Sequence, residues 1–386
     1  MNRSGDSHSD HHLRSFIGKS DVDRPGPCGL CRHGAPAPSP RLSSWRQHMV
    51  KRSRALVVTL LAAALGMTGC SGSDDASGDP TGEETDRVAY ITAFGAVGRD
   101  AFAWVAKEKG YFAEAGIDVD IKEGAGNQQN LTALKSGQVQ FGALDFTGAV
   151  IQAGKGEFTD WRAIAAVHQQ TLISVMTTAD TNITTPKDLQ GKTMATGAGS
   201  VTELLFPAYA RLAGFDPKTV KIEGVQATAL NGLMASRKVD ALGTFLLSRN
   251  ALQAASKKEV VVLPYSDYLR DLFGNAIITT PSLIEKDPDL VQRFTDAVLK
   301  GLQYSIEHPD EAAAILNKVK PTYAVAAGKG EIEAMSPHVR PASGAPIGFM
   351  DEKQVAQTIT VLQGADLIPP GLTPEEIVDL RFVKKS

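Results

Sequence analysis

The sequence predicts an α/β fold with largely parallel sheets, and three observations carry that expectation. Short β-like runs alternate with helical stretches over most of the chain, the pattern of strands joined by crossover helices. Several of the helical stretches begin with explicit capping chemistry. At 386 residues the chain is long enough for two domains of ordinary size rather than one small core.

Strand candidates in the first half are 87–92, 117–123, 141–144, 161–168 and 172–177. Further on come 193–196, 220–225, 260–263 and 276–279. The stretch Ile117-Asp-Val-Asp-Ile121 alternates at period two, as a half-exposed strand does. Helical spacing marks 100–109, 130–136, 201–213 and 230–237, and from Ser282 onward 290–306, 310–318 and 351–363. Thr185-Pro186-Lys187-Asp188 offers a capping hydroxyl, a proline at the first helical position and an acid in the first turn, and Thr373-Pro374-Glu375-Glu376 repeats it. Ser200-Val201-Thr202-Glu203 has the spacing of a capping box.

A formal net charge of -3 gives no basic face for nucleic acid. The three cysteines, Cys28, Cys31 and Cys70, lie in the first fifth of the chain. Everything after Cys70 therefore lacks a thiol nucleophile, a disulfide or a thiolate metal site. His168, His308 and His338 are widely spaced and point to no metal site.

At the N-terminal end, Lys51, Arg52 and Arg54 precede an apolar run from Ala55 to Met67. The run is shorter than the roughly 20 residues of a membrane span but suits a signal-peptide core. It ends in Met67-Thr68-Gly69-Cys70, which resembles the bacterial lipobox; Cys70 would carry the lipid. Residues 71–86 are rich in Ser, Gly, Asp and Thr and form an expected tether with a reach of about 20 Å. Residues 1–48 hold five of the eight histidines and the Cys28-x-x-Cys31 pair, with no second ligand pair at metal spacing. They read as a non-native or disordered extension, with Met49 as the working start and 49–70 as the signal peptide.

The segments Lys107–Ile121, Leu131–Ala143, Thr185–Pro217, Leu230–Phe245 and Phe273–Leu316 together resemble NMT1/THI5-like solute-binding proteins, the group that includes nitrate, sulfonate and taurine binders. The resemblance implies a two-lobed periplasmic-binding-protein type II-like fold with a ligand cleft between the lobes. It implies a lipid-anchored, monomeric binder outside the cell that delivers a small-molecule ligand to an ABC permease by hinge closure, without cofactor, metal or catalytic residue. Lobe 1 would take 87–178, lobe 2 179–272, and the return and C-terminal helices 273–386, with crossovers near 172–178 and 273–279. The alternative within the family is a pyrimidine-precursor biosynthetic enzyme, whose cysteine-rich motif has no counterpart after Cys70.

Candidate contacts are the loops at strand ends. After the first strand come Thr92, Phe94 and Gly95, offering a hydroxyl and an aromatic face, with Phe94 equally suited to the core. Gly126 and Asn127 follow the second strand. Asp145, Phe146 and Thr147 follow the third; Asp145 could orient an amine or ring N–H, or cap a helix. Gly199 and Ser200 open a helix whose amides favour an oxygen, while Glu203 suits a capping role better than a ligand contact. Thr244 and Phe245 play the matching part in the other half. No Arg or Lys stands in these loops, and the three phenylalanines point to a flat, partly apolar ligand such as a pyrimidine or an aromatic sulfonate. Tyr265 and Tyr268 are placed between the lobes.

Overall fold

Two five-stranded sheets share one strand order. The computed structural model describes residues 85–383. The expectations about Met49, Cys70, the Cys28/Cys31 pair and most of the tether fall outside them.

Strands β1 (Asp86–Ile91), β2 (Ile117–Lys122), β3 (Phe141–Asp145) and β4 (Arg162–Ala166) belong to the first sheet. Strands β5 (Ile173–Thr178), β6 (Thr193–Gly197), β7 (Lys221–Val225), β8 (Ala241–Phe245) and β9 (Val260–Pro264) make the second. The last strand, β10 (Asn275–Thr279), returns to the first. The spatial orders are β2-β1-β3-β10-β4 and β7-β6-β8-β5-β9. In each sheet the fourth strand runs against the other four: β10 is antiparallel to β3 and β4, and β5 to β8 and β9. The sheets are therefore largely parallel, as expected, with one reversed strand each.

Position in the sheet explains each strand's composition. β2, at an edge, buries Ile117 and Val119 and exposes Asp118 and Asp120. Buried throughout, β5 reads Ile-Ser-Val-Met-Thr-Thr without alternation. β8 is central to the second sheet yet stands outside the strand candidates. Gly243 and Thr244 interrupt its apolar pattern, and Gly243 is needed because a Cβ there would lie 2.9 Å from the Thr202 side chain.

Helices fill the connections. The first half carries α1 (Ala101–Glu108), α2 (Tyr111–Glu114), α3 (Asn127–Lys135) and α4 (Phe146–Gly154). The second carries α5 (Val201–Leu212), α6 (Leu230–Ala235) and α7 (Arg249–Ser256). After β10 come α8 (Pro281–Lys286), α9 (Pro288–Glu307), α10 (Pro309–Val319), α11 (Val325–Met335) and α12 (Glu352–Gly364). The Thr185 and Thr373 caps open short 3-10 turns, Pro186–Leu189 and Pro374–Glu376, rather than α-helices. Helix α9 lies against the first sheet, where Phe294 stacks on Phe141 with ring centroids 3.8 Å apart.

The chain changes sheet between Ala166 and Ile173 and returns between Pro264 and Asn275. Assigning 87–178 to one lobe thus misplaces β5, whose Ile173 and Ser174 pair with Phe245 and Thr244 of the second sheet. The two crossings hydrogen-bond to each other: Val167 N donates to Asn275 O (2.7 Å), Thr171 N to Leu272 O (2.7 Å) and Gly274 N to His168 O (3.2 Å). Tyr265 stands at the return crossing, stacked on Tyr209 at 4.2 Å, with its hydroxyl donating to Thr202 O. One apolar cluster spans both sheets, joining Leu144, Phe146 and Trp161 to Leu205, Phe206 and Tyr209.

Candidate functional site

A cavity of about 600 Å³ opens where strand ends of the two sheets face each other across the crossings. The first sheet contributes the loop after β1, the loop after β2 and the start of α4; the second contributes the start of α5 and the end of β8. Such strand-end positions are the usual ligand crevice of open α/β sheets.

The loop after β1 is built around Asp100. Its fully buried carboxylate accepts Ala93 N at 2.9 Å through Oδ1 and Phe94 N at 3.2 Å through Oδ2. Burial raises its pKa to about 6, with neighbouring Arg99 and the two amides opposing the rise. Phe94, held by its backbone in this loop, is 47% exposed. The Arg99 guanidinium lies 5.3 Å from the Phe94 ring centroid and 5.8 Å from that of Phe245, which arrives from the second sheet. One cation is therefore flanked by an aromatic ring from each half.

Asp145 caps α4 through Oδ1, which accepts Gly148 N at 2.7 Å. Its Oδ2 is buried without a protein partner. Desolvation raises its pKa to about 7, against the Gly148 hydrogen bond and the Arg99 charge. Asn127 clamps the same residue by its backbone, donating to Asp145 O (2.7 Å) and accepting from Asp145 N (3.0 Å).

His168, on the first crossing, accepts Asn275 N through Nδ1 at 3.2 Å. Burial, with the Arg99 and His338 charges, lowers its pKa to about 3, so the ring is neutral and carries its proton on Nε2. That Nε2, like Asp145 Oδ2 and the Gln152 side-chain oxygen on α4, is buried with no protein partner. All three residues line the cavity. Buried polar atoms are nearly always paired, so three unpaired ones on residues lining one cavity single out this wall of it.

Of the thirteen residues expected at the site, Phe94, Gly126, Asn127, Asp145, Gly199, Ser200 and Phe245 line the cavity. The other six stand behind it. Thr92 is fully buried and ties its loop together, donating to Gly95 O and accepting from Gly124 N. Gly95 supplies the left-handed turn there, at φ 76°. Phe146 points into the core between Trp161 and Phe273, and Thr147 donates to Phe273 O. Glu203 accepts Gly199 N at 3.0 Å, a capping role, while Ser200 Oγ accepts Glu203 N at 3.4 Å. Thr244 pairs with Ser174 within the sheet. Arg99, His168, Gln152 and Asn275 also line the cavity and are absent from the expected contacts. Arg99 sits only four residues beyond the chosen loop, and its position corrects the absence of a cation from the selected contacts. Among the described residues, no group of three or more His, Cys, Asp or Glu is placed to hold a metal ion. No helix among them is long and apolar enough to cross a membrane.

The NMT1/THI5-like family model matches residues 100–312, more than half of the chain. The chain belongs to the NMT1/THI5-like family. A formylaminopyrimidine-binding protein of Halalkalibacterium halodurans is 26% identical over 261 residues, 67% of this chain and 77% of that one. The riboflavin-binding protein RibY of Chloroflexus aurantiacus is 25% identical over 213 residues, 54% and 59% of the two chains. Among solved structures, the periplasmic aliphatic sulphonate binding protein SsuA of Escherichia coli superposes with a TM-score of 0.62 at 16% identity, covering 78% of this chain and 94% of that one. The desulfurization enzyme DSZB matches at a TM-score of 0.54 and 16% identity, over 77% and 97%. These neighbours establish the two-lobed periplasmic-binding-protein fold, which both binders and an enzyme use. The named family relatives are binding proteins.

Proposed function

We propose that this chain is an extracytoplasmic solute-binding lipoprotein of an ABC importer, and that its solute is a flat nitrogen heterocycle bearing N–H donors. The observation that carries the reading is the donor–acceptor set on residues that line the cavity: Asp145 Oδ2 and the Gln152 oxygen as acceptors, His168 Nε2–H as donor, each buried without a protein partner. Aminopyrimidines and the ureide edge of a flavin present the complementary set. Phe94 and Phe245, facing the same cavity from opposite sheets, supply ring faces for stacking. Two relatives are named for formylaminopyrimidine and riboflavin, which supports the same class.

Lobe 1 would then be built on β1–β4 and β10 and lobe 2 on β5–β9, with the paired crossings as the hinge. The seven predicted residues that line the cavity, with Arg99 and His168 added, would hold the ligand. Cys70 would anchor the protein to the outer face of the cytoplasmic membrane. A monomer delivering its ligand to a permease completes the proposal.

Arg99 favours a second reading, an aromatic sulfonate held by the guanidinium, and one screen separates the two. Thermal unfolding is followed with pyrimidines, riboflavin, aromatic and alkane sulfonates, taurine and nitrate. A heterocycle at 100 times its Kd raises stability by about 2.7 kcal/mol. Shifts with sulfonates alone would transfer the assignment to the anion, and no shift with any compound would refute the binder reading.

A further inference from the structure

Away from the crossings, the two halves of the site meet a second time at helix α11. No residue of α11 lines the cavity. One side of the helix carries the short 3-10 turn Gly98–Asp100, which holds Arg99. Arg99 N donates to Glu331 Oε2 at 3.2 Å. Gly98 lies close on the helix: a Cβ there would stand 2.4 Å from Gly328 O and 2.7 Å from the Glu331 Cβ. Ile332 is buried in one cluster with Ala96 and Ala101, which flank that turn. The turn that positions Arg99 is therefore seated on a helix residue 232 places later in the chain.

The same helix meets the second half. It packs against the turn Leu246–Ser248, directly after β8, and against α7. Leu247 of that turn lines the cavity and shares a buried cluster with Met335 of α11. Gly330 faces Asn250 at the start of α7, where a Cβ on Gly330 would lie 2.5 Å from Asn250 Nδ2. The two contacts differ in kind. Among the described residues no hydrogen bond or ion pair joins α11 to 246–256, whereas the Arg99 turn is both hydrogen-bonded and pressed close. Parting the first contact strands no buried polar group, so the second half can leave α11 and return while Arg99 stays with the helix. Phe245, one residue before Leu246, then arrives at the Arg99 guanidinium together with the seating of 246–250 on α11.

From this we infer that α11 sets the closed position of the site: Glu331 is a positioning residue that holds the Arg99 turn, and the helix at Gly330 is the stop on which 246–250 lands. The inference rests on the hinge-closing binder reading above and adds the element that ends the motion. It is tested by calorimetric titration of the full chain with riboflavin, cytosine and benzenesulfonate. Gly330→Leu sets a wedge at the stop, and because leucine favours a helix more than glycine, ligand-free thermal stability should hold. A wedge that cuts the closed population to about a tenth raises the Kd of whichever probe binds by about ten-fold. Glu331→Ala should weaken the same probe, Glu331→Gln, which keeps an acceptor for Arg99 N, should bind as the parent does, and Glu331→Ala should add nothing in an Arg99→Ala background. Asn250→Cys with Gly330→Cys reports the contact directly, since Asn250 Cγ, where a sulfur would stand, is 3.7 Å from a Cβ at 330. In a glutathione redox buffer a bound probe should speed formation of that disulfide, identified by peptide mass. Unchanged affinity in a folded Gly330→Leu, or a disulfide rate indifferent to a bound probe, overturns the stop and leaves the binder reading standing. An equal loss from Glu331→Ala with and without Arg99 overturns the positioning role. Failure of every probe to bind the parent overturns the binder reading and this inference together.

Discussion

Replacing Asp145 with asparagine separates the two jobs of that carboxyl. Asn keeps the oxygen that caps α4 through Gly148 N but cannot ionise. In the folded protein the Asp145 pKa stands near 7 rather than at the ordinary 3.8, chiefly through burial. At 1.36 kcal/mol per unit, a shift of about three units amounts to roughly 4 kcal/mol. The sign follows from proton linkage. An unfolded chain releases this proton near pH 4 and the folded one near pH 7, so between those values the folded state binds more protons. Stability therefore falls as pH rises from about 4 to about 7 and stays lowered above. Asp145→Asn is free of that loss, whereas the similar rise of Asp100 is common to both proteins and cancels. The variant's stability relative to the parent should therefore be lowest near pH 4 and should gain up to about 4 kcal/mol by pH 8–9. At about 2 °C per kcal/mol, the lower end for a chain of this size, the Tm difference grows by about 8 °C. Any desolvation penalty of the unpaired amide is independent of pH and offsets the curve without changing its slope. Scanning calorimetry of ligand-free protein across pH measures it; a difference independent of pH would refute the burial argument. The same variant should lose about 10- to 100-fold in heterocycle affinity, the worth of one charge-assisted hydrogen bond.

Two of the phenylalanines expected at the site should behave oppositely to each other. Phe146→Ala empties a fully buried site between Trp161 and Phe273 and should cost about 3–5 kcal/mol in denaturant unfolding. Phe245→Ala removes a half-buried ring at the cavity and should cut ligand affinity with a much smaller stability loss. Gly274→Ala would place a Cβ 2.8 Å from both Gln170 O and the His168 Cβ, where the crossings touch. It should force them apart and weaken ligand binding, seen in the same titrations; unchanged affinity would show that the crossings tolerate separation.

Much of the fold was legible because local chemistry and final position agree. Nine of the ten strands coincide with runs of apolar or alternating residues, and the Ser200 cap forms as its spacing predicts. β8 escaped because its central place demands glycine where the Thr202 side chain comes close, and glycine breaks the apolar run. The site was half legible. Strand-end loops are local features, so Phe94, Asp145 and Phe245 could be chosen from sequence. His168 lies at the end of an apolar run and reads as part of a strand; only the approach of Asn275, 107 residues later, places it at the cavity. Gln152 sits in a helix apolar on every side, where no periodicity shows which face meets the second sheet.

The shared strand order also governs when the chain can finish folding. β3 and β4 are made early, but the strand between them, β10, begins at Asn275, more than a hundred residues after β4. Likewise β5 is made before its neighbours β8 and β9. At about 5–20 residues per second, synthesis leaves the first sheet split for roughly 5–20 s. The second sheet is complete once β9 is made, whereas the first cannot close its hydrogen-bond ladders until β10 arrives. The first lobe's sheet is thus sealed only when nearly three quarters of the chain has been made, after the second sheet it encloses in sequence is already whole.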